Sequence, residues 1–372
     1  MERGKCTFDT FSAQKVAIAP LLSVLNPKVD LSSQYHQCSV YVALFKAMAE
    51  STSSKRRTTK ASAALEPIKT PQALFESAAL RAKAFYSDEA TLIFQADVVT
   101  ALHWLKEARL SVDCIVTSPP FYGQRDYGVR EQIGLEEHPA MYIFRLTQIF
   151  RLAQKVLKPT GSLWVNMGDT FWSGKGEHKS GEKKQSARRF GLRPQDRPGD
   201  GGLWCRPKQL LLIPHRFAVA MQDAGWLVRN DNVWVKPNPI PDQVRDRCSM
   251  SHEYVFHFTR NRWYFFDRSR VGRQIKDKIL PPLDTWKVRP SKGNGAHKAA
   301  FSEELLRIPI LATTPPNGIV LDLFAGTGTS LVFAYKNGFR SIGIDIKADF
   351  CKLMAENLKA AQSKQNGHYP CI

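Results

Sequence analysis

The chain has 372 residues, 43% of them apolar, and carries 53 Lys or Arg against 34 Asp or Glu for a formal net charge of +19. That apolar content excludes a wholly disordered chain and suits one large domain or two small ones, while no apolar run approaches the ~18 residues of a membrane span. Seven scattered cysteines, none at CxxC spacing, suggest neither a disulfide framework nor a zinc ribbon, so free thiols in a reducing compartment are the simpler reading.

Residues 1–85 carry no catalytic motif. Val16–Leu25 is mostly apolar but is interrupted by Pro20, and no small-residue cleavage site follows it. The tract STSSKRRTTK over Ser51–Lys60 reads as a polar, basic linker, with a nuclear address or DNA-contacting tail as the alternative. Pro71–Tyr86 has the pattern of a helix. From Thr91 the texture changes to alternating strands and helices. Thr91–Ala96 reads as a strand and Val98–Ala108 as a helix. Val112–Thr117, an apolar run stopped by two prolines, is a strand. Met141–Leu157 follows as a helix and Gly161–Met167 as a strand.

Residues 170–205, rich in Gly, Lys and Arg, read as a long loop. Pro207–Asp223 is expected to be a helix, and Trp226–Val235 and Glu253–Thr259 strands. Residues 268–296 are expected to be irregular and basic. Helix Phe301–Ala312, strand Ile319–Phe324, helix Thr329–Asn337, strand Ser341–Asp345 and helix Ala348–Ala361 complete the pattern. Strands alternating with helices predict an α/β fold, a mostly parallel sheet covered on both faces. The expected organisation is an extension over 1–85, a catalytic domain over 86–362 and a tail over 363–372.

Charge is concentrated in the middle of the chain. Residues 173–297 hold 25 Lys or Arg against 12 Asp or Glu, about two thirds of the excess in one third of the length. That favours a polyanion-binding surface over uniform solubility charge. Arg188, Arg189, Arg193 and Arg197, interleaved with Phe190 and Trp204, suit phosphates or guanine edges. A solvated loop is the bland reading of the same residues.

Two motifs carry chemistry. Val320–Ser330 (VLDLFAGTGTS) is an apolar strand running into Gly326-Thr327-Gly328 and then a helix. Such glycines let backbone approach a ligand. Asp345 closes the next strand, where an acid binds ribose hydroxyls in dinucleotide folds. Leu331 replaces the third glycine of a pyrophosphate fingerprint, so a nucleoside without phosphates, such as S-adenosylmethionine, fits better. The second motif, Cys114–Phe121 (CIVTSPPF), leaves a strand end. Its prolines remove two amide donors and leave carbonyls free to accept bonds. Ser118 adds a hydroxyl and Phe121 an aromatic face. The set suits a flat base held by an exocyclic amine, which donates to Ser118 and to a carbonyl within Ser118–Pro120.

Together these segments resemble the amino-group DNA methyltransferases, in the permuted order with the catalytic segment first and the cofactor turn last. TSPPF is similar to the cytosine-N4 form of the catalytic motif; the adenine-N6 form more often has Asp at Ser118. Gln95-Ala96-Asp97, Leu157–Asp169 (LKPTGSLWVNMGD), Gly225–Pro239, Asp246-Arg247, His252-Glu253, Trp263–Asp267 (WYFFD) and His297–Leu305 resemble further family motifs. The likeness spans residues 91–360. Leu323 stands where proline is usual, and Lys298 and Ser302 also depart from the family's habit.

The resemblance implies a Rossmann-like fold with a seven-stranded sheet. S-adenosylmethionine is then held by Asp97, Thr117, Asp322, Phe324, Gly326, Gly328, Thr329, Asp345 and Phe301. It also implies catalysis at Ser118, Pro119, Pro120 and Phe121 without a metal, on double-stranded DNA whose target base is flipped out. DNA reading falls to segments 173–205 and 268–296. Adenine-N6 methylation, less readily RNA methylation, or a non-catalytic nucleic-acid-binding module remain alternatives. Cytosine-C5 chemistry does not fit, since the one Pro-Cys pair, Pro370-Cys371, stands two residues from the end. His252-Glu253 is taken as structural. A homodimer and a companion restriction endonuclease are left open. The expected setting is the cytoplasm or nucleoid of a bacterial or phage host, with a nucleus or organelle as the alternative.

Overall fold

The computed structural model describes residues 77–129, 132–136, 138–172, 206, 208–239, 244–290 and 302–365. The expectations for residues 1–76 and for the tail beyond 365 lie outside these residues, as do Phe301, Arg188, Arg189, Arg193 and Arg197. Of the helix expected over Pro71–Tyr86, the described part is one turn, α1 (Ala78–Arg81), followed by β1 (Tyr86–Ser87).

The chain continues through β2 (Thr91–Gln95), α2 (Val98–Glu107), β3 (Val112–Thr117), α3 (Pro139–Ala153), β4 (Leu157–Met167), α4 (Ile213–Asp223), β5 (Leu227–Val235) and β6 (His252–Thr259). Three short strands follow: β7 (Arg273–Ile275), β8 (Lys278–Leu280) and β9 (Thr285–Lys287). α5 (Glu303–Thr313), β10 (Ile319–Asp322), α6 (Thr329–Lys336), β11 (Arg340–Asp345) and α7 (Ala348–Gln365) complete the described fold. No helix among the described residues is long and apolar enough to cross a membrane.

Three expectations are corrected. The helix expected to reach Leu157 stops at Ala153, and β4 starts at Leu157. Lys-Pro-Thr reads as a breaker, but Leu157 pairs with Val112 and Lys158 reaches the Asp113 carboxylate at 2.8 Å. The helix expected from Pro207 starts at Ile213, because Leu212 adopts a left-handed conformation and Pro214, which fits a first turn, opens the helix. The irregular segment 268–296 contains the antiparallel hairpin β7–β8, and β9 joins the main sheet.

Nine strands form that sheet, in the order β1-β2-β11-β10-β3-β4-β6-β5-β9. The seven central strands match the expected number, and β1 and β9 are short edges. β2, β11, β10, β3 and β4 run parallel, whereas β6 is antiparallel to both β4 and β5. Every residue of β3 is buried. Ile115 faces one core with Leu146, Phe150 and Leu163, while Cys114 and Val116 face the other with Trp164, Leu306 and Ile310. This is the period-2 signature of a strand covered on both sides. Cys114 is a packing residue.

From β3 the chain moves to its neighbour β4; from β10 it moves the other way, to β11. The sheet order therefore reverses between β3 and β10, and ligands of open α/β sheets bind outside the carboxyl ends of strands at such a point. Both sequence motifs leave the sheet there.

Candidate functional site

A cavity of about 310 Å³ opens at the carboxyl ends of β2, β3, β10 and β11, and both motifs line it. Ser118 and Pro120 come from the end of β3. Phe324 and Gly326 come from the turn after β10, Asp345 from the end of β11 and Asp97 from the end of β2. Asp97 also caps α2, its carboxylate accepting from Val99 N at 3.0 Å and Thr100 N at 3.2 Å, an arrangement worth about 1 kcal/mol. Apolar walls are supplied by Ile149 and Leu152 of α3 and by Ile346 and Phe350.

The two glycines serve different ends. Gly326 has φ +52° and open space where a Cβ would stand, so its missing side chain leaves the cavity clear. Gly328 has φ +77°, and a Cβ there would meet Met354 Cγ at 2.7 Å; it lets α7 pack against the turn. Asp345 accepts from Gly326 N at 3.0 Å and Lys347 N at 2.9 Å. Burial outweighs those bonds and pushes its carboxyl up to about 6. A carboxylate beside a glycine backbone, flanked by apolar walls, fits a nucleoside: hydroxyls for the acid and an apolar slot for the base.

Asp322, Thr117, Thr329 and Gly328 stand behind this surface. The Asp322 carboxylate takes Thr117 Oγ1 at 2.7 Å, Ser330 Oγ at 2.5 Å and Phe324 N at 3.1 Å, so it ties the turn to β3. Its burial raises its carboxyl above the ordinary Asp value. Thr329 opens α6 and shares a hydroxyl contact with Thr327 at 3.3 Å.

At the end of β3, Pro119 is buried, and Ser118, Pro120 and Phe121 are half-buried. Tyr142 donates to the Pro120 carbonyl at 2.8 Å, which uses one of that carbonyl's two lone pairs. The Phe121 ring lies on Gly168, where a Cβ would fall 2.7 Å from Phe121 Cε2. Ser118 Oγ donates to Asn166 Oδ1 at 3.2 Å. Asn166 Nδ2 in turn donates to Glu253 Oε2 at 3.0 Å and Tyr254 O at 3.2 Å, and Lys236 Nζ pairs with Glu253 Oε1.

Asn166, Gly168, Lys236 and Glu253 lie in segments that resemble family motifs but were given no site role there, Glu253 being taken as structural, and Tyr142 was not singled out. The available signal was a polar Asn inside the otherwise apolar end of β4. Among the described residues no cluster of His, Cys, Asp and Glu has the makings of a metal site.

The two basic segments part ways. The residues flanking segment 173–205 are joined beyond the carboxyl end of β4, where Phe171 bridges Leu210 and Trp172 N donates to Gln209 O at 2.7 Å. By contrast, Phe265 N donates to Thr160 O and Arg270 Nη1 to Thr314 O, which fixes the start of segment 268–296 at the opposite edge of the sheet. Among the described residues of that segment, β9 and Arg289 run toward the carboxyl edge of the sheet, since β9 is parallel to β5.

A family model described as DNA methylase, for N6- and N4-methyltransferases, matches residues 112–356. The chain belongs to this family. The methyltransferase is 39% identical over 269 residues to the Type II methyltransferase M.Cfr9I of Citrobacter freundii, covering 72% of this chain and 87% of that one. It is 36% identical over 249 residues to M.SmaI of Serratia marcescens, covering 66% and 84%. Its fold matches the PvuII DNA methyltransferase (cytosine-N4-specific), at TM-score 0.54 and 19% identity over 76% of this chain and 94% of that one. The enzyme is thus an S-adenosylmethionine-dependent DNA methyltransferase, and the cavity between its two motifs fits that cofactor.

Proposed function

We propose that the methyltransferase modifies the exocyclic N4 amine of cytosine in double-stranded DNA, with the target base turned out of the helix. The observation that carries this reading is the polarity of Ser118. Its hydroxyl hydrogen is committed to Asn166, so its lone pairs are left for a donor at the cavity. An amine is such a donor. Pro119 has no amide hydrogen to compete, and Pro120's carbonyl already accepts from Tyr142, which favours the carbonyl of Ser118 or Pro119 as the second acceptor for the amine. These two bonds hold the amine with its lone pair out of conjugation with the ring. S-adenosylmethionine, when bound, supplies the electrophilic methyl group. The residues that hold it are Asp345, Asp97 and Phe324 with the Gly326 backbone. The protein's part is position and electrostatics.

Segment 173–205, which follows the carboxyl end of β4 and whose flanking residues Phe171 and Leu210 are bridged, is the stretch we assign to DNA contact, through Arg188, Arg189, Arg193 and Arg197. The Type II relatives support a companion restriction endonuclease.

Nucleoside mass spectrometry of DNA treated with enzyme and cofactor tests the reading. N4-methylcytosine is expected, and N6-methyladenine would overturn it. Ser118→Ala is expected to abolish methylation while leaving cofactor affinity within about threefold, since catalysis and cofactor binding draw on different residues. Full turnover by that variant would remove Ser118 from the chemistry.

A further inference from the structure

The bonds around Ser118 extend beyond what amine binding alone requires. Three neighbouring strand ends each give one side chain to a single chain of contacts: Asn166 from β4, Glu253 from β6 and Lys236 from just past β5. Strand register brings them together. Asn166 lies opposite Val255, and Glu253 lies opposite Trp234, so all three reach the carboxyl edge beside Ser118. Asn166 is buried, and the side chains of Lys236 and Glu253 are 25% and 14% exposed.

We propose that Lys236, Glu253 and Asn166 form a positioning chain that fixes Ser118 as a hydrogen-bond acceptor for the target amine. This rests on the reading of Ser118 given above. An amide side chain presents either its oxygen or its nitrogen to a neighbour. Asn166 Nδ2 faces two acceptors, the Glu253 carboxylate and the Tyr254 carbonyl. Turning the amide over would aim its oxygen at both, so the orientation with Oδ1 toward Ser118 is locked. Ser118 must then donate to Asn166 and keep its lone pairs for the amine. Lys236 holds the Glu253 charge in a site where an unpaired carboxylate would be costly. No proton travels along this chain, because an amide is not a base. It sets direction only, and none of its three members touches the base.

The polarity argument yields a reciprocal test. Asn166→Asp places two carboxylates against each other, so kcat is expected to fall about 100-fold, the scale of losing one aligned polar contact in an active site. Glu253→Gln alone is expected to lower kcat about tenfold. In the double variant Asn166→Asp/Glu253→Gln, the new carboxylate accepts from Ser118 and from the amide that the second substitution introduces. Ser118 again donates to residue 166, and the 166–253 bond is remade with donor and acceptor exchanged; the Tyr254 carbonyl alone loses its donor, so kcat is expected to return to within about tenfold of the parent. Lys236→Met, at a partly exposed position, is expected to lower kcat about fivefold with no change in KM for the cofactor.

Cofactor affinity by calorimetry identifies folded variants. A double variant no more active than Asn166→Asp alone overturns the proposal. If Asn166→Asp does not fold, Lys236→Met decides, and an unchanged kcat overturns the proposal. The modified base made by the parent enzyme is read in the same assay. A product other than N4-methylcytosine counts against the cytosine reading, whereas failed rescue with N4-methylcytosine formed counts against the positioning chain.

Discussion

Thr117 and Asp322 are joined by a 2.7 Å hydrogen bond although 205 residues separate them in the chain. Thr117 ends the strand that carries the catalytic segment, and Asp322 ends the strand that carries the cofactor turn. The bond therefore ties the segment proposed to hold the amine to the turn proposed to hold the cofactor, at the point where the sheet order reverses. Thr117→Val keeps the shape and removes the hydroxyl, leaving a buried carboxylate one donor short. We expect a loss of about 1–3 kcal/mol in denaturant unfolding. A change of under about 0.5 kcal/mol, the level of a neutral surface substitution, would show that the bond does not brace the site.

If Asp345 holds the cofactor as proposed, it links cofactor affinity to pH. Its carboxyl titrates at about 6, and the ionised form is the one that accepts hydroxyl hydrogens. Affinity for S-adenosylmethionine is expected to be full above that value and to fall as pH drops through it, by up to about tenfold per unit. Calorimetry on the parent and on Asp345→Asn checks this, and the variant should bind weakly with little slope. Stability of the cofactor-free protein carries the opposite sign. A carboxyl raised from 3.8 to about 6 by folding makes the folded state bind more protons, so its contribution to stability declines as pH rises across that window.

The two glycines of the turn should separate stability from binding. Both have positive φ, which costs an L-residue about 1–2 kcal/mol. Gly328→Ala adds a clash with Met354 and should lose more than that in unfolding experiments. Gly326→Ala meets open space, so it should lose only the conformational part while placing a methyl group at the cofactor cavity. The expected pattern is a larger stability loss for Gly328→Ala. Gly326→Ala, still folded, should weaken cofactor binding about tenfold or more. Equal stability losses would contradict the packing role of Gly328.

What could be read from the sequence was what is local in it. Ser118, Gly326, Asp345 and Asp97 were legible because each sits in a short segment where a strand ends in a turn, and the structure brings all four to one cavity. Strand alternation likewise disclosed the doubly covered sheet. The start of β4 was not legible, because Lys158-Pro159-Thr160 looks like a break and only pairing with β3 makes it a strand. β9 was missed because three residues show no period, and it exists by virtue of β5 beside it. The contacts around Asn166 span 48 residues to Ser118 and 87 to Glu253, a separation at which no pattern in the chain reports contact. The basic segment 268–296 looked like a single surface, whereas the Asp267 amide, bonded to Ala312 O, and the Arg270 side chain, bonded to Thr314 O, hold its start at the edge away from the cavity.

Gly168 makes room for the Phe121 ring, and this relationship separates a ring in position from a ring merely present. A Cβ at Gly168 would stand 2.7 Å from Phe121 Cε2 and 3.0 Å from Cδ2, inside contact distance, so Gly168→Ala must displace the ring. Cofactor affinity should hold, since neither residue lines the cavity floor at Asp345 or Gly326. Methylation should fall about tenfold, the scale of a misplaced contact in a reacting geometry. Phe121→Ala should fall at least as far. Once the ring is gone, adding Gly168→Ala has nothing left to displace, so the double variant should match Phe121→Ala within about 0.5 kcal/mol in activation free energy. Additive losses in this cycle would mean that Gly168 acts on the β4 backbone rather than through Phe121, and the assignment of the ring's seat would fall.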